Sequence, residues 1–150
     1  MKKEKGFTLI ELLVVVSVIA ILASTVLVNL RGARERAMDT RIIMSLGQIR
    51  GVATIIHSRT GSYAALCAAS PAISTLAGTD GLLALRDDID TNNGAHAPAV
   101  CIAAGNDYCV SSQLNETATA FWCITSRGRS ARTAASCTTA ATSTGSCGGL

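Results

Sequence analysis

From Leu12 to Leu30 the chain carries no charged residue, and this run, LLVVVSVIAILASTVLVNL, limits its fold more than any other feature. At 1.5 Å per residue, 19 helical positions span roughly 28 Å, about the hydrocarbon thickness of a bilayer. A secretory signal peptide also pairs a basic start with an apolar stretch, but that stretch is shorter and ends at a small-residue cleavage site. Here the run continues without proline into a second helical pattern, and residues 7–58 contain no proline at all. The reading is one helix of about fifty residues, a length typical of membrane spans and coiled coils.

The second half of that helix is amphipathic. Met38, Ile42, Leu46, Ile49, Ala53 and Ile56 recur at spacings of three and four, which puts them on one stripe. Arg34, Glu35, Asp39, Arg41 and Arg50 fall largely elsewhere around the helix. The stripe is expected to dock on a globular head. Gly32, Gly47 and Gly51 each weaken the helix by up to about 1 kcal/mol relative to Ala and mark either flexible points or close contacts.

One carboxylate stands out. Glu11 lies at the start of the apolar run, where an ionised group is expensive, although a position near a helix end lowers the cost by snorkelling. Lys2, Lys3, Lys5, Gly6 and Phe7 precede it. The stretch KGFTLIELLVVVSVIAILA closely resembles the N-terminus of type IV pilins and of the pseudopilins of type II secretion systems. The likeness is close over residues 2–30 and looser to about residue 60.

That resemblance implies a processing event. A prepilin peptidase would cut between Gly6 and Phe7 and methylate the new amino group of Phe7, and in the filament Glu11 would neutralise such an amine on its own or a neighbouring subunit. Gly6 suits cleavage because a backbone without a side chain enters a narrow cleft easily. The leader lysines hold residues 1–6 on the cytoplasmic side, as the positive-inside rule asks. Arg31, Arg34 and Arg36 on the far side of the span run against that rule, so orientation rests on the resemblance. Many pilins carry a proline late in the membrane segment. This chain has Val28 and Asn29 there, and its weak point is expected around Asn29 to Gly32.

All six cysteines, Cys67, Cys101, Cys109, Cys123, Cys137 and Cys147, lie beyond residue 60. An even count confined to an exported region points to disulfides. Zinc is disfavoured because there is no C-x-x-C pair and His57 and His96 sit in no ligand motif. With only 3% aromatic residues against 49% hydrophobic, the head has a thin core that cross-links would support.

Three strands are expected in the head, at 97–103, 108–114 and 118–125, joined by turns at 105–107 and 115–117 as an antiparallel meander. A three-residue turn at 115–117 sets Cys109 opposite Cys123 as a candidate disulfide, while Cys137 and Cys147 would close a small loop in the Ser/Thr-rich tail. Thr79 and Asp80 are expected to cap a short helix holding Leu82, Leu83 and Leu85. Trp122 is read as core. Asp88 to Gly94 resembles the start of a calcium loop, but the glycine comes one place late and Ala99 stands where the bidentate glutamate belongs, so a solvated acidic loop is the default. Some pseudopilins bind calcium in the head, which keeps calcium as a minor alternative to no cofactor. Asn115-Glu116-Thr117 matches a glycosylation sequon, with a strand turn as its plainer reading.

The expected fold is α+β and pilin-like: a long N-terminal helix packed on a small antiparallel sheet. The segments are a cleaved leader at 1–6, a membrane and filament-core helix at 7–30 and its amphipathic continuation at 31–59. A loop at 60–99, a sheet at 100–132 and a tail at 133–150 follow. Removing residues 1–6 takes away three lysines and one glutamate, leaving 10 basic and 9 acidic residues, too balanced for a nucleic-acid footprint. No Ser-His-Asp, Cys-His or paired-carboxylate arrangement is present, so an enzyme is not expected.

The function expected is a structural subunit of a type IV pilus. A pseudopilin of a secretion or DNA-uptake machine is the alternative, and a single-pass membrane-anchored binding protein a minor one. By resemblance the partners are further copies of the chain, the prepilin peptidase, the pilus or secretion machinery and the inner membrane. The location is the inner membrane with the head outside, then an extracellular filament or periplasmic pseudopilus.

Overall fold

The computed structural model describes residues 6–67, 73, 81–117 and 119–137. Helix α1 (Leu9–Thr60) is followed by a single 3-10 turn (Ala64–Leu66), helix α2 (Leu82–Asn92) and strands β1 (Val100–Ala104), β2 (Asp107–Gln113), β3 (Phe121–Thr125) and β4 (Ser130–Thr133). The chain forms two units, Met1–Arg34 and Glu35–Leu150.

Local chemistry sets both ends of α1. Thr8 and Glu11 form a capping box at its start. At its end Gly61 takes φ +71°, a left-handed conformation that costs glycine little, and its N–H donates to the His57 carbonyl at 2.8 Å. Helical hydrogen bonding continues through 29–32, and a Cβ at Gly32, Gly47 or Gly51 would meet nothing within 4 Å, so these glycines mark no close contact among the described residues.

In the second unit the four strands form one antiparallel sheet in the order β1-β2-β3-β4. Alternation along β2 sends Tyr108 and Val110 to a core that also holds Ile42, Leu46, Ile49, Ala53 and Ile56 of α1. Ile42, Leu46, Ile49 and Ala53 have no exposed surface, and each buried isoleucine or leucine contributes about 2 kcal/mol. Trp122 packs half-buried against this core. The opposite face of the sheet holds Ile102, Cys109 and Cys123 with Cys137, all buried. The sheet is therefore covered on both sides.

Two expectations about the sheet change. A fourth strand, β4, follows β3. The β2–β3 connection is longer than three residues: Leu114 N–H donates to the Ala120 carbonyl at 2.8 Å, and β3 starts at Phe121. Cys109 is consequently opposite Thr125, and Cys123 opposite Ser111. Among the described residues two disulfides join Cys67 to Cys101 and Cys109 to Cys137, which corrects both the Cys109–Cys123 and the Cys137–Cys147 pairings. Parity survives the two-residue shift, so Cys123 still shares a face with Cys109, and their sulfurs are 3.4 Å apart. There is no free cysteine among the described residues, and Cys147 lies outside them.

Candidate assembly segment

Within the first unit, Gly6 is exposed, with nothing within 4 Å of where a Cβ would stand, and Phe7 is 80% exposed. Lys2, Lys3 and Lys5 lie outside the described residues. Thr8 is the N-cap and Glu11 stands three positions on. The Glu11 carboxylate accepts from the Thr8 N–H at 2.9 Å and from the Thr8 hydroxyl at 2.6 Å, while the Glu11 N–H donates to the Thr8 Oγ1 at 3.3 Å. The carboxylate is thus held one residue from the peptide nitrogen of Phe7. Sequence reasoning singled out Glu11 and missed Thr8, although T-x-x-E directly before an apolar run is the sequence signature of this cap.

Beyond the cap the helix is apolar all round and packs on nothing among the described residues. The most apolar stretch has none of its residues buried, and the large apolar side chains from Leu9 to Leu27 are at least half exposed. Its few hydroxyls are satisfied internally. Ser17 donates to the Val14 carbonyl at 2.8 Å, Ser24 to Ile21 at 2.8 Å and Thr25 to Leu22 at 2.9 Å. A helix that consumes its own polar groups in this way suits a bilayer or a packed helical bundle, since neither offers water to a stray donor.

The second unit shows where the other candidates went. Asp88 and Asp90 belong to α2, not to a loop. Asp88 accepts from the Ser45 hydroxyl at 2.6 Å, and Asp90 from the Ala99 N–H at 3.3 Å. A helical backbone cannot wrap these carboxylates around a cation, so the acidic-loop reading is corrected and the calcium loop has no scaffold there. Thr79 and Asp80, expected to cap α2, lie outside the described residues, and the N-cap position is Gly81.

Asn115 is partly buried and tied to the head. Its side-chain amide donates to Asp39 Oδ1 and to the Asn92 carbonyl, both at 2.9 Å, which removes it as a sugar acceptor. A Cβ on Gly94, whose φ is +70°, would lie 3.0 Å from Asn115 Oδ1. Asp39 is the residue that the stripe argument misplaced. It is buried, and it also accepts from the N–H groups of Asn115 at 2.6 Å and Glu116 at 3.2 Å.

His57 stacks on Tyr63 at 4.5 Å and His96 belongs to no ligand cluster. Among the described residues the one grouping of metal-type ligands is Cys109, Cys123 and Cys137. The first and last are bonded to each other and Cys123 is likewise disulfide-bonded, so no thiolates are left for zinc. Tyr108 is buried, and that burial pushes its hydroxyl above the ordinary tyrosine range, with the nearby Arg50 guanidinium partly opposing the shift.

Residues 1–27 match the family model described as the prokaryotic N-terminal methylation motif. The chain is 60% identical over 40 residues to the type IV wide pilus major component PilA4 of Thermus thermophilus, covering 27% of this chain and 30% of that protein. It is 48% identical over 50 residues to a probable minor fimbrial protein of Dichelobacter nodosus, 33% and 31% of the two chains. It is 37% identical over 51 residues to type II secretion system core protein G of Klebsiella pneumoniae, 34% and 36% of the two chains. The matched region spans about a third of the length of each of these relatives. No solved structure matches the chain. Residues 1–27 therefore carry the prokaryotic N-terminal methylation motif, the first third of the chain is similar to type IV pilus and type II secretion proteins, and it leads into an α+β fold of one long helix and a four-stranded antiparallel sheet.

Proposed function

We propose that the chain is a prepilin, a structural subunit that waits in the membrane and then polymerises through its first helix. The observation that carries this reading is the exposed, internally satisfied apolar helix that opens with a carboxylate at Glu11. An isolated soluble domain has no use for such a surface, while a bilayer and then a bundle of identical helices bury it in turn. The relatives of the segment include pilus components, which favours a type IV pilus.

In this reading the prepilin peptidase cleaves after Gly6 and methylates Phe7, leaving a positive amine. Two buried charges left unpaired are costly, and pairing them relieves both. Glu11 then selects subunits with a processed N-terminus and fixes their axial register. Thr8 holds the carboxylate in place meanwhile. The subunit acts by assembly and does no chemistry of its own.

A pseudopilin of type II secretion is the second reading, favoured by the likeness to core protein G. Sheared surface filaments containing the protein support the pilus, and a periplasmic location with secretion components supports the pseudopilus.

Mass spectrometry of the mature N-terminus tests the core of the proposal. The expected species begins with N-methylated Phe7. Glu11→Ala is expected to be cleaved normally and to enter filaments at least tenfold less, about 1.4 kcal/mol or more. A leader that stays attached, or normal filaments from Glu11→Ala, would refute the reading.

A further inference from the structure

Between Phe7 and Arg34 the only charged side chains are Glu11 near one end and Arg31 and Arg34 at the other. Both arginines are exposed, and three residues of separation puts them on one side of the helix. None of the ion pairs formed among the described residues involves either of them. Of the two acids that follow, Glu35 forms no ion pair with either arginine among the described residues, and Asp39 is committed to the N–H groups of Asn115 and Glu116. Arg36 differs from the pair, since it belongs to the second unit and lines a cleft there with Glu116 and Arg132.

Arg31 follows the last residue of the apolar run directly. At 1.5 Å per residue, Arg31 and Arg34 stand about 2–6 Å beyond the hydrocarbon edge, the depth of phospholipid phosphates. A guanidinium binds a phosphate oxygen pair in bidentate fashion, and a long arginine stem lets the charge reach the headgroup from a buried backbone. Basic residues on the translocated side run against the usual charge bias, so a compensating contact is called for.

We infer that Arg31 and Arg34 form an anionic-lipid site, holding the phosphodiester of a negatively charged phospholipid in the outer leaflet. This rests on the membrane-anchored reading above. The contact fixes the depth of the helix from the end opposite Glu11. It keeps a subunit that has lost its leader lysines from drifting in the bilayer before it is taken into a filament.

The test uses the full-length chain in phosphatidylcholine vesicles doped with spin-labelled phosphatidylglycerol or spin-labelled phosphatidylcholine, with helix-bound lipid measured by electron paramagnetic resonance. At low salt the anionic probe is expected to be favoured by about fivefold per arginine, and the preference should shrink as ionic strength rises. R31Q/R34Q should lose that share, leaving only what the leader lysines attract, while R31K/R34K should keep the salt-sensitive charge attraction and lose the part owed to bidentate binding. An anionic preference that is absent, or is the same in R31Q/R34Q as in the parent, overturns the site and leaves the arginines to a protein partner. A chain that fails to enter vesicles of either composition overturns the membrane reading itself.

Discussion

Replacing Asp39 by alanine should loosen the head more than any surface substitution, and the structure gives the size. The carboxylate accepts from Asn115 N–H at 2.6 Å, Asn115 Nδ2 at 2.9 Å and Glu116 N–H at 3.2 Å. A hydrogen bond to a charged acceptor contributes about 1.5–3 kcal/mol, but three bonds to one group do not add. The site also adjoins a cleft of about 250 Å³ lined by Arg36, Thr40, Ile43, Glu116 and Arg132, through which water reaches the abandoned donors. These considerations put the net loss for Asp39→Ala at about 3 kcal/mol, the worth of one to two bonds to a charged acceptor once water has taken up part of the donors. Asp39→Asn keeps one acceptor oxygen and should lose about half of that. Thr40→Ala, an exposed neighbour, should stay within about 0.5 kcal/mol.

The assay is thermal unfolding of the full chain in detergent micelles, followed by near-ultraviolet circular dichroism. Trp122, Tyr63 and Tyr108 all belong to the second unit, so this signal reports the head and not the apolar helix. For a unit of this size about 4 °C accompanies each kcal/mol, so Asp39→Ala should lower Tm by about 12 °C. A fall below about 4 °C would mean that the β2–β3 turn holds its shape without the helix carboxylate, and the reasoning would be wrong.

Two further outcomes follow from the head. Burial raises the Tyr108 hydroxyl above its ordinary range, so the stability tied to its neutral form is fully present below about pH 10 and is lost as pH rises through the folded value. Alkaline titration of the head should therefore show destabilisation above about pH 10 that Tyr108→Phe removes, and an unchanged alkaline limb in Tyr108→Phe would contradict this. The Cys109–Cys137 bond closes a loop with a sequence separation of 28, and the chain-entropy relation assigns such a loop about 3.5 kcal/mol. The double variant Cys109→Ala/Cys137→Ala should lose roughly that much in urea unfolding, and a loss under about 1 kcal/mol would show the tail to be held by its other contacts.

Much of this fold was legible because hydrophobic periodicity is a strong signal over a long helix. The stripe Ile42, Leu46, Ile49, Ala53 and Ile56 is the face that α1 buries. Asp39 could have been found as well, since it stands three residues before Ile42 and so borders that stripe; a general expectation that acids face solvent hid it. The strands were harder. β4 is S-A-R-T, with no apolar alternation, and it is defined by pairing with β3 and not by any preference of its own. The disulfides were misassigned because connection length fixes register, and a loop two residues longer moved Cys109 away from the position facing Cys123. At the N-terminus the resemblance drew attention to Glu11 and its distant partner, so its nearest one, the hydroxyl of Thr8, went unread.

The strand order β1-β2-β3-β4 has a bearing on how such a chain matures. Each strand pairs with the one made just before it, so sheet growth closes only short loops and requires no distant search. A polypeptide threaded outward with its anchor first can therefore zip its head together segment by segment as it emerges. Cys137 follows all four strands in the chain, and its bond to Cys109 ties the segment beyond β4 back to β2.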